Sequence, residues 1–362
     1  MTTPSPAPPS AAGPPSAAGP LRRFMQRHFT NFNSRETLAA ARAYEDHLAA
    51  DGKMMVTLAG AMSTAGIGRS LAEMIRQDKV HAITCTGANL EEDIFFLLAG
   101  NEYQGCPDWR GLRAQDEQDL YDRGMNRVTD TCIPEDVMRH VEHRLRHIWD
   151  RTLRTDERLF PHEFLWEVLG QHDLPQHFQM PPEDSWMIAA KEKNLPVYTP
   201  GWEDSTLGNI FTAWAMQQNQ YNYHCLRTGT EALAHLARWY RDATDDLRRA
   251  QSAADPSAGP DARSGNDTPG GVGFFQIGGG IAGDFPICAV PMMIQDLKWV
   301  DTPFWSYFCQ ISDAVTSYGG YSGAVPNEKI TWGKLAPHTP KFMIQSDASI
   351  VAPLVFGYLL NE

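Results

Sequence analysis

The chain has 362 residues and a formal net charge of −13, from 31 Lys and Arg against 44 Asp and Glu. Hydrophobic residues make up 42% and charged residues 21% of the chain, which excludes a wholly disordered protein. The negative charge argues against a nucleic-acid partner, because neutralising phosphates requires basic patches. No stretch is long and apolar enough to predict a membrane-spanning helix. Six cysteines without a C-x-x-C pair predict reduced thiols in a cytoplasmic protein.

Two stretches lack the apolar residues that a folded core requires. Residues 1–20 are Pro, Ala, Ser, Gly and Thr after the first Met, which predicts a disordered tail. Residues 253–271 (AADPSAGPDARSGNDTPGG) have a similar character, so we expect a flexible insertion loop there. The remainder, residues 21–362, is expected to form one domain that carries this loop.

Strand-like and helical segments alternate along that domain. Apolar runs predict strands over residues 53–61, 80–85, 195–198, 274–277 and 342–344. Periodic patterns predict helices over residues 66–77, 91–99, 186–193 and 207–216, with another opened by Pro134 and a last one from Ser349. Asn33 and Glu36 form a capping-box signature for an early helix. The alternation predicts an α/β fold with a mostly parallel sheet and helices on both of its faces.

Four junctions between a predicted strand and the next helix carry glycine-rich or polar sequence, over residues 60–68, 84–93, 200–208 and 278–284. In a parallel sheet, binding residues collect at this edge. Backbone N–H groups at a helix start favour a phosphate, and three consecutive glycines indicate a close backbone approach. The residues of the first junction suit a ligand or a tight turn alike, and those of the second are more typical of a well-capped helix. The triple glycine points more to a close backbone approach than to a structural turn.

The segment Glu328–Lys334 (EKITWGK) combines a carboxylate, a tryptophan and a lysine. Trp332 beside Glu328 suits an alkylammonium group, through cation–π contact and ion pairing. A lysine with a depressed pKa can form a Schiff base, although a lone lysine in a loop is usually solvated.

Three histidines, His140, His143 and His147, lie on the helix predicted from Pro134. His143 and His147 have an i, i+4 spacing that could hold a metal. Arginines share the same face and would repel a cation, and no third ligand accompanies the pair. We therefore expect no metal site.

Taken together, these segments resemble the deoxyhypusine synthase family, in its bacterial-type branch. The resemblance runs from about Arg23 to Leu360 and rests on TGANLEED at 86–93, DSTLG at 204–208, the triple glycine and EKITWGKL at 328–335. It implies a single Rossmann-like domain, assembled as a homotetramer with active sites at dimer interfaces. It also implies NAD as cofactor and transfer of an aminobutyl group from a polyamine, normally spermidine, to an enzyme lysine. The acceptor is a protein lysine in deoxyhypusine synthases and putrescine in the related homospermidine synthases.

The resemblance assigns roles to individual residues. Lys334 matches the lysine that forms the enzyme imine, and Trp332 and Glu328 match residues that bind the polyamine. Positions at or next to those that contact NAD correspond to Thr64, Thr86, Glu92, Asp204, Gly279, Gly280, Asp313, Ala314, Asp347 and Ala348.

Three of the corresponding positions differ from the family pattern. Asp284 stands where the family has a catalytic histidine, and an aspartate can accept a proton from an ammonium without being the same near-neutral acid. Asn209 and Tyr321 stand where the family has polyamine-binding aspartates, although Tyr318, Tyr321 and Trp332 could compensate by cation–π contact. These changes suit the bacterial-type branch. A bacterial host would lack the usual protein acceptor, which favours a putrescine-like acceptor, with a protein lysine second. The changes leave open an NAD-dependent enzyme acting on a different amine, or an inactive NAD-binding regulator.

Overall fold

A computed structural model describes residues 18–218, 223–254, 271–316 and 319–362. Most of the predicted tail at 1–20 and of the predicted loop at 253–271 lies outside the described residues, and so does Tyr318. At the ends that are described, Pro20 already begins a helix and residues 253 and 254 still belong to one. The predicted tail and loop therefore reach too far at these ends.

The described chain contains fourteen α-helices and nine strands. The helices are α1 Pro20–His28, α2 Phe32–Ala49, α3 Gly68–Arg76, α4 Gly87–Ala99, α5 Ala114–Asp122, α6 Glu135–Thr155, α7 Pro161–Leu169, α8 Trp186–Glu192, α9 Thr206–Gln217, α10 Gly229–Ala254, α11 Gly280–Ile287, α12 Ala289–Pro291, α13 Glu328–Thr331 and α14 Ala348–Leu360. The strands are β1 Lys53–Leu58, β2 Ala82–Cys85, β3 Gln104–Gly105, β4 Met125–Val128, β5 Thr131–Pro134, β6 Val197–Tyr198, β7 Val272–Ile277, β8 Tyr307–Ser312 and β9 Lys341–Gln345. Among these helices, none is both long and apolar enough to cross a bilayer.

Six parallel strands form the central sheet, in the order β6-β2-β1-β7-β8-β9. Numbered along the chain within this sheet alone, the order is 3-2-1-4-5-6, which is that of dinucleotide-binding folds. The order reverses between β1 and β7, whose last residues Leu58 and Ile277 are register partners. Such a topological switch point is where open parallel sheets bind their ligands.

Helices cover both faces of the sheet, which confirms the predicted fold class. On β1, the side chains of Met54 and Val56 enter one hydrophobic core, and that of Met55 enters the other. The first core packs α2, α3, α4 and α14 against the sheet, and the second packs α10, α11 and α12. Because both faces are buried, the strands are nearly all apolar and do not alternate.

Sequence analysis missed β8 and a small antiparallel sheet with the order β3-β5-β4. The sequence of β8, YFCQIS, is buried throughout. It lacks the alternation of a half-buried strand, and a short apolar run of this kind cannot be told from a buried helix segment. In the sheet, β8 lies between β7 and β9 and brings Asp313 to the same edge as the other strand ends.

The start of α2 differs from the capping box predicted at Asn33 and Glu36. The helix begins at Phe32, so both residues lie inside it. Asn33 Nδ2 donates to the Gln345 carbonyl at 2.7 Å, and Met343 N donates to Glu36 Oε1 at 3.4 Å. These side chains tie α2 to β9, a long-range role that the local signature does not contain.

Candidate active site

All six strands of the central sheet end at one edge, because they run parallel. The segments after these ends carry every residue for which NAD contact was expected. Thr64 follows β1, Thr86 and Glu92 follow β2, Asp204 follows β6, Gly279 and Gly280 follow β7, Asp313 and Ala314 follow β8, and Asp347 and Ala348 follow β9. The four glycine-rich or polar junctions therefore share the edge of a single sheet, and the cofactor roles of their residues stay predictions.

Asn89 fixes the loop after β1, a role that sequence analysis missed. Its Nδ2 donates to Gly60 O and to Thr86 Oγ1, both at 2.8 Å, and its Oδ1 accepts from Ser63 N at 2.9 Å. Thr86 Oγ1 also donates to Gly60 O at 2.7 Å and caps α4. Within this loop the buried Thr64 hydroxyl has no hydrogen-bond partner among the described residues. A polar atom left in this way usually has a partner that is a ligand or water.

Three consecutive acids in α4 have different environments. Glu91 accepts two backbone N–H groups at the start of α9, at 2.7 and 3.0 Å, and Asp93 accepts the Ser185 hydroxyl and backbone N–H groups at the start of α8. Glu92 is also buried, but its Oε2 finds no hydrogen-bond partner in the described part of the chain. Burial, and then the charge of Glu91, raise the pKa of Glu92 to about 8. A carboxyl group in so unfavourable a position is typical of a functional site.

Replacing Glu92 with glutamine is expected to stabilise the fold at about pH 8.5, by on the order of 3 kcal/mol, and to have little effect near pH 4. The folded chain holds the Glu92 proton more tightly than the unfolded chain, because the pKa rises from the ordinary 4.5 to about 8. The resulting stability is present below about pH 4.5 and is lost as the pH rises through about 8. Denaturant unfolding of wild type and variant at both pH values checks this.

Glu91→Gln is the matched comparison. Burial raises the pKa of Glu91 to about 7, but an amide cannot accept both N–H groups at the start of α9, so the gain in stability at about pH 8.5 is expected to be smaller than for Glu92→Gln. A Glu92→Gln protein that is no more stable than wild type at about pH 8.5 would contradict the predicted cost of burial.

The triple glycine after β7 packs against the short 3₁₀ helix Tyr321–Gly323. A Cβ atom on Gly279 would collide with the Ser322 side chain, whose Oγ accepts from Gly280 N at 3.2 Å. Gly278 and Gly280 have φ angles of 78° and 62°, in the left-handed region that favours glycine. Close packing thus accounts for Gly279, whereas at Gly280 the described chain leaves open space where a Cβ would be.

Two glutamines in the middle of buried strands hold that 3₁₀ helix. Gln276 on β7 and Gln310 on β8 are register partners. Tyr321 OH donates to Gln276 Oε1 at 2.9 Å, and Gln310 Nε2 donates to the carbonyl of Ser322. Sequence analysis missed both residues. The available signal is a polar side chain inside an otherwise apolar strand, because a buried amide has to find partners.

Glu92, Asp204 and Asn209 line one cleft of about 580 Å³ beside the start of α9. Asp204 and Asn209 are exposed. Asn209 Nδ2 donates to the carbonyls of Glu203 and Ser205 at 2.7 and 2.8 Å, so its amide group is engaged in holding the turn before α9. The structure therefore brings one expected substrate-binding residue together with two expected cofactor-binding residues.

The two expected catalytic residues are neighbours. Lys334 Nζ lies 3.5 Å from Asp284 Oδ1, although the residues are 50 positions apart in the chain. The Lys334 side chain is 9% exposed and the Asp284 side chain is 50% exposed. The Lys334 backbone is held between Lys329 O, which accepts its N–H at 3.1 Å, and Trp305 N, which donates to its carbonyl at 3.2 Å. Cys288 Sγ donates to Asp284 Oδ1 at 3.6 Å.

Two aromatic rings flank Lys334. Its Nζ lies 5.7 Å from the ring centroid of Tyr321 and 6.0 Å from that of Trp332. We call the space bounded by Asp284, Tyr321, Trp332 and Lys334 the lysine pocket. Trp332 is 62% exposed, and Glu328, which begins α13, is also exposed.

A second buried lysine, Lys329, lies beside the lysine pocket, and sequence analysis assigned it no role. Its Nζ lies 5.0 Å from the ring centroid of Tyr321 and 4.9 Å from that of Phe308, with no hydrogen-bond partner among the described residues. Burial, and then the charge of Lys334, lower the pKa of Lys329 to about 8. The adjacent Glu328 is exposed, so the sequence carries no local signal for this burial.

The remaining expected residues have local roles as well as their place at the edge. Asp347 Oδ1 accepts from Ser349 N at 2.8 Å and so caps α14. Asp313 is exposed directly after β8, and Ala314 N donates to Ser312 Oγ at 3.2 Å. Both carboxylates remain at the surface of the edge where ligands of such sheets bind.

Similarity to known proteins identifies the family of this chain. The family model described as deoxyhypusine synthase matches residues 23–231 and 267–359. "Probable deoxyhypusine synthase 1" of Archaeoglobus fulgidus is 26% identical over 334 residues, which are 92% of this chain and 91% of that protein. The deoxyhypusine synthase-like protein of Nostoc sp. is 28% identical over 92% of this chain and 80% of its own, and that of Cyanothece sp. is 27% identical over 85% and 70%. Since the family model covers most of its length, this chain belongs to the deoxyhypusine synthase family.

Proposed function

We propose that the protein is an NAD-dependent aminobutyltransferase, which takes an aminobutyl group from a spermidine-like polyamine and passes it to an acceptor amine through an imine on Lys334. The observation that carries the proposal is the buried Lys334 beside the Asp284 carboxylate, in a fold with the strand order of dinucleotide-binding proteins. Family membership supports transferase chemistry of this type.

Lys334 is the nucleophile in this proposal. A lysine attacks only as a neutral amine, so its proton needs an acceptor, and the Asp284 carboxylate lies 3.5 Å away. The Lys334 nitrogen then adds to the iminium carbon of the oxidised donor. The departing amine takes its electron pair and a proton, and the four-carbon group stays on Lys334 as an imine. An acceptor amine repeats the exchange and releases Lys334.

The residues at the strand ends fit a dinucleotide. Glu92 has a buried carboxylate oxygen and Thr64 a buried hydroxyl, each without a hydrogen-bond partner among the described residues, and such groups suit ribose and phosphate oxygens. The turn at Gly280 leaves open space for a close approach to the backbone. NAD, when bound, would supply the acceptor for the donor's hydride and return that hydride to the product.

The amines would bind around the lysine pocket. Trp332 and Tyr321 offer aromatic faces to an alkylammonium group, and Glu328 and Asp284 offer carboxylates. As acceptor we propose a small putrescine-like diamine, with a protein lysine as the alternative.

An NAD-dependent enzyme for a different amine is the second candidate, and one observation favours it. Asn209 and Tyr321, which stand in place of carboxylates, both have their polar groups engaged within the protein, with the Glu203 carbonyl and with Gln276. Neither polar group is therefore free to replace the lost carboxylate, and of these two side chains only the Tyr321 ring can still attract a cation. A non-catalytic NAD-binding regulator is the third candidate, but a regulator has no physical need of a paired, buried Lys334.

The test is mass spectrometry of the purified protein after incubation with NAD and spermidine and reduction with borohydride. The expected result is a single aminobutyl adduct on the peptide that contains Lys334. A panel of other amines, followed by NADH absorbance, separates the second candidate from the first. Bound NAD with no reduction by any amine in the panel would favour the regulator.

We also propose that a second copy of the chain covers the strand-end face, within a homotetramer. Large apolar side chains are exposed beside the strand ends, at Ile281, Val315, Val325 and Ile350. Ile350→Glu is expected to lower the mass measured by sedimentation, because a carboxylate cannot be buried there without cost. Val300→Glu is the control, since Val300 is 83% exposed but precedes β8, at the other end of that strand. A wild-type mass equal to one chain would contradict the proposal.

A further inference from the structure

The Lys329 side chain occupies an aromatic site suited to an alkylammonium group. Its Nζ lies between the faces of Phe308 and Tyr321, 4.9 and 5.0 Å from their centroids. Distances below about 6 Å are those of cation–π contacts, which aromatic sites use to bind ligand ammonium groups. Lys329 is 3% exposed, so the group in this site belongs to the chain itself. We call Phe308 and Tyr321 the ammonium site.

The ammonium site adjoins the lysine pocket. The Tyr321 ring is shared, because Lys334 Nζ lies 5.7 Å from its centroid. Two lysines therefore face this ring. The Asp284 carboxylate pairs with Lys334 at 3.5 Å, whereas Glu328 and Asp284 act on Lys329 only through their charge. Lys329 Nζ keeps no hydrogen-bond partner in the described residues. A polycation that entered the pocket would meet an additional positive charge that has no hydrogen-bonded partner in the described chain.

We propose that Lys329 takes the place of one substrate ammonium group and thereby selects, at the lysine pocket, a diamine over a longer polyamine as the donor. The inference rests on the aminobutyl transfer proposed above and narrows its substrate class. With a diamine donor of four carbons, the Lys334 nitrogen displaces ammonia from the oxidised end, and the same four-carbon imine forms on Lys334. Hydride goes to the same proposed acceptor, NAD, so atoms and electrons balance as they do for spermidine.

The selection should depend on pH, because the charge of Lys329 does. The rings that face it are those of Phe308 and Tyr321, and the charged groups that act on it are Lys334, Glu328 and Asp284. Cys288, at the end of α11, lies beside Asp284 and Lys334. Burial and the charge of Lys334 lower the pKa of Lys329 to about 8, while Glu328 and Asp284 oppose this shift. Lys329 is therefore charged below about pH 8 and neutral above it, and discrimination against the longer polyamine should weaken as the pH rises.

The experiment compares putrescine and spermidine in wild type, Lys329→Met and Lys329→Arg. Methionine keeps the length of the side chain without its charge, and arginine keeps the charge. Both donors leave the same adduct on Lys334, so adduct formation rates are directly comparable. Calorimetric affinities of the NAD-saturated proteins for the two amines give a second readout that needs no chemistry. Thermal unfolding shows whether each variant is folded, and Lys329→Met is expected to unfold at a higher temperature, since it removes an unpaired buried charge.

Wild type and Lys329→Arg are expected to prefer putrescine at about pH 7. In Lys329→Met the preference should move towards spermidine by about tenfold, both in rate and in affinity. At about pH 9, the preference of wild type for putrescine over spermidine should approach that of Lys329→Met. The preference of Lys329→Met at each pH is the baseline, because it changes only through the titration of the amines themselves. An unchanged ratio in folded Lys329→Met, or wild type that binds neither amine, would overturn the inference. A shifted affinity ratio without any adduct would instead refute the proposed transfer and leave the selection by Lys329 standing.

Discussion

Replacing Lys334 with alanine is expected to abolish the aminobutyl adduct and to lower turnover by on the order of 10⁴-fold or more. The amine of this residue forms the covalent bond in the proposed reaction, and no other described lysine shares both its position beside Asp284 and its contact with Trp332. Mass spectrometry after borohydride reduction and NADH absorbance measure the two effects. NAD affinity should change little, because Lys334 is not among the residues expected to contact the cofactor.

Lys193→Ala is the matched control for this loss. Lys193 pairs with Asp78 at the surface, at 2.8 Å, and its removal should leave the adduct and turnover intact. An adduct of undiminished intensity in Lys334→Ala would show that the covalent step, if it occurs, uses another amine.

Asp284→Asn is expected to slow adduct formation by roughly 10²- to 10⁴-fold, which is the usual contribution of a positioned acid–base group. The amide keeps the size of the side chain and can still contact Lys334, but it cannot take the lysine's proton. The rate of adduct formation under single-turnover conditions measures the effect.

Asp284→His restores the residue type that the family resemblance implies at this position. It is expected to retain more activity than Asp284→Asn, with a pH optimum set by the imidazole. Equal rates for wild type and Asp284→Asn would mean that Asp284 only holds Lys334 in place. A structural role of that kind would show as a loss of thermal stability without a change in the pH profile.

Much of the fold could be predicted from short segments. Five of the six strands in the central sheet follow apolar runs with Gly, Pro or polar residues at their ends, and they were predicted within a few residues. The sixth, β8, was missed because its signal depends on neighbours that bury both of its faces. The helix start at Asn33 was misassigned for a related reason, since that side chain serves a distant strand and not the local turn.

The sequence predicted those candidate site residues that belong to recognisable short segments. The segments at 86–93, 204–208 and 328–335 led to the family, and with it to Lys334, Asp284 and the residues expected to contact NAD. The residues that hold these segments in place could not be predicted. Asn89, Gln276 and Gln310 were missed because each is important through partners that lie far away in the chain.

The sequence by itself determined the order of the elements, the fold class and the family, since local patterns and the order of short segments carry that information. Only the tertiary structure decided which polar groups meet and which stay unpaired. It pairs Lys334 with Asp284, and it buries Glu92 and Lys329 without a hydrogen-bond partner for Glu92 Oε2 or Lys329 Nζ in the described chain. Burial and hydrogen bonding depend on segments brought together by folding, so these features have no counterpart in any local stretch of the sequence.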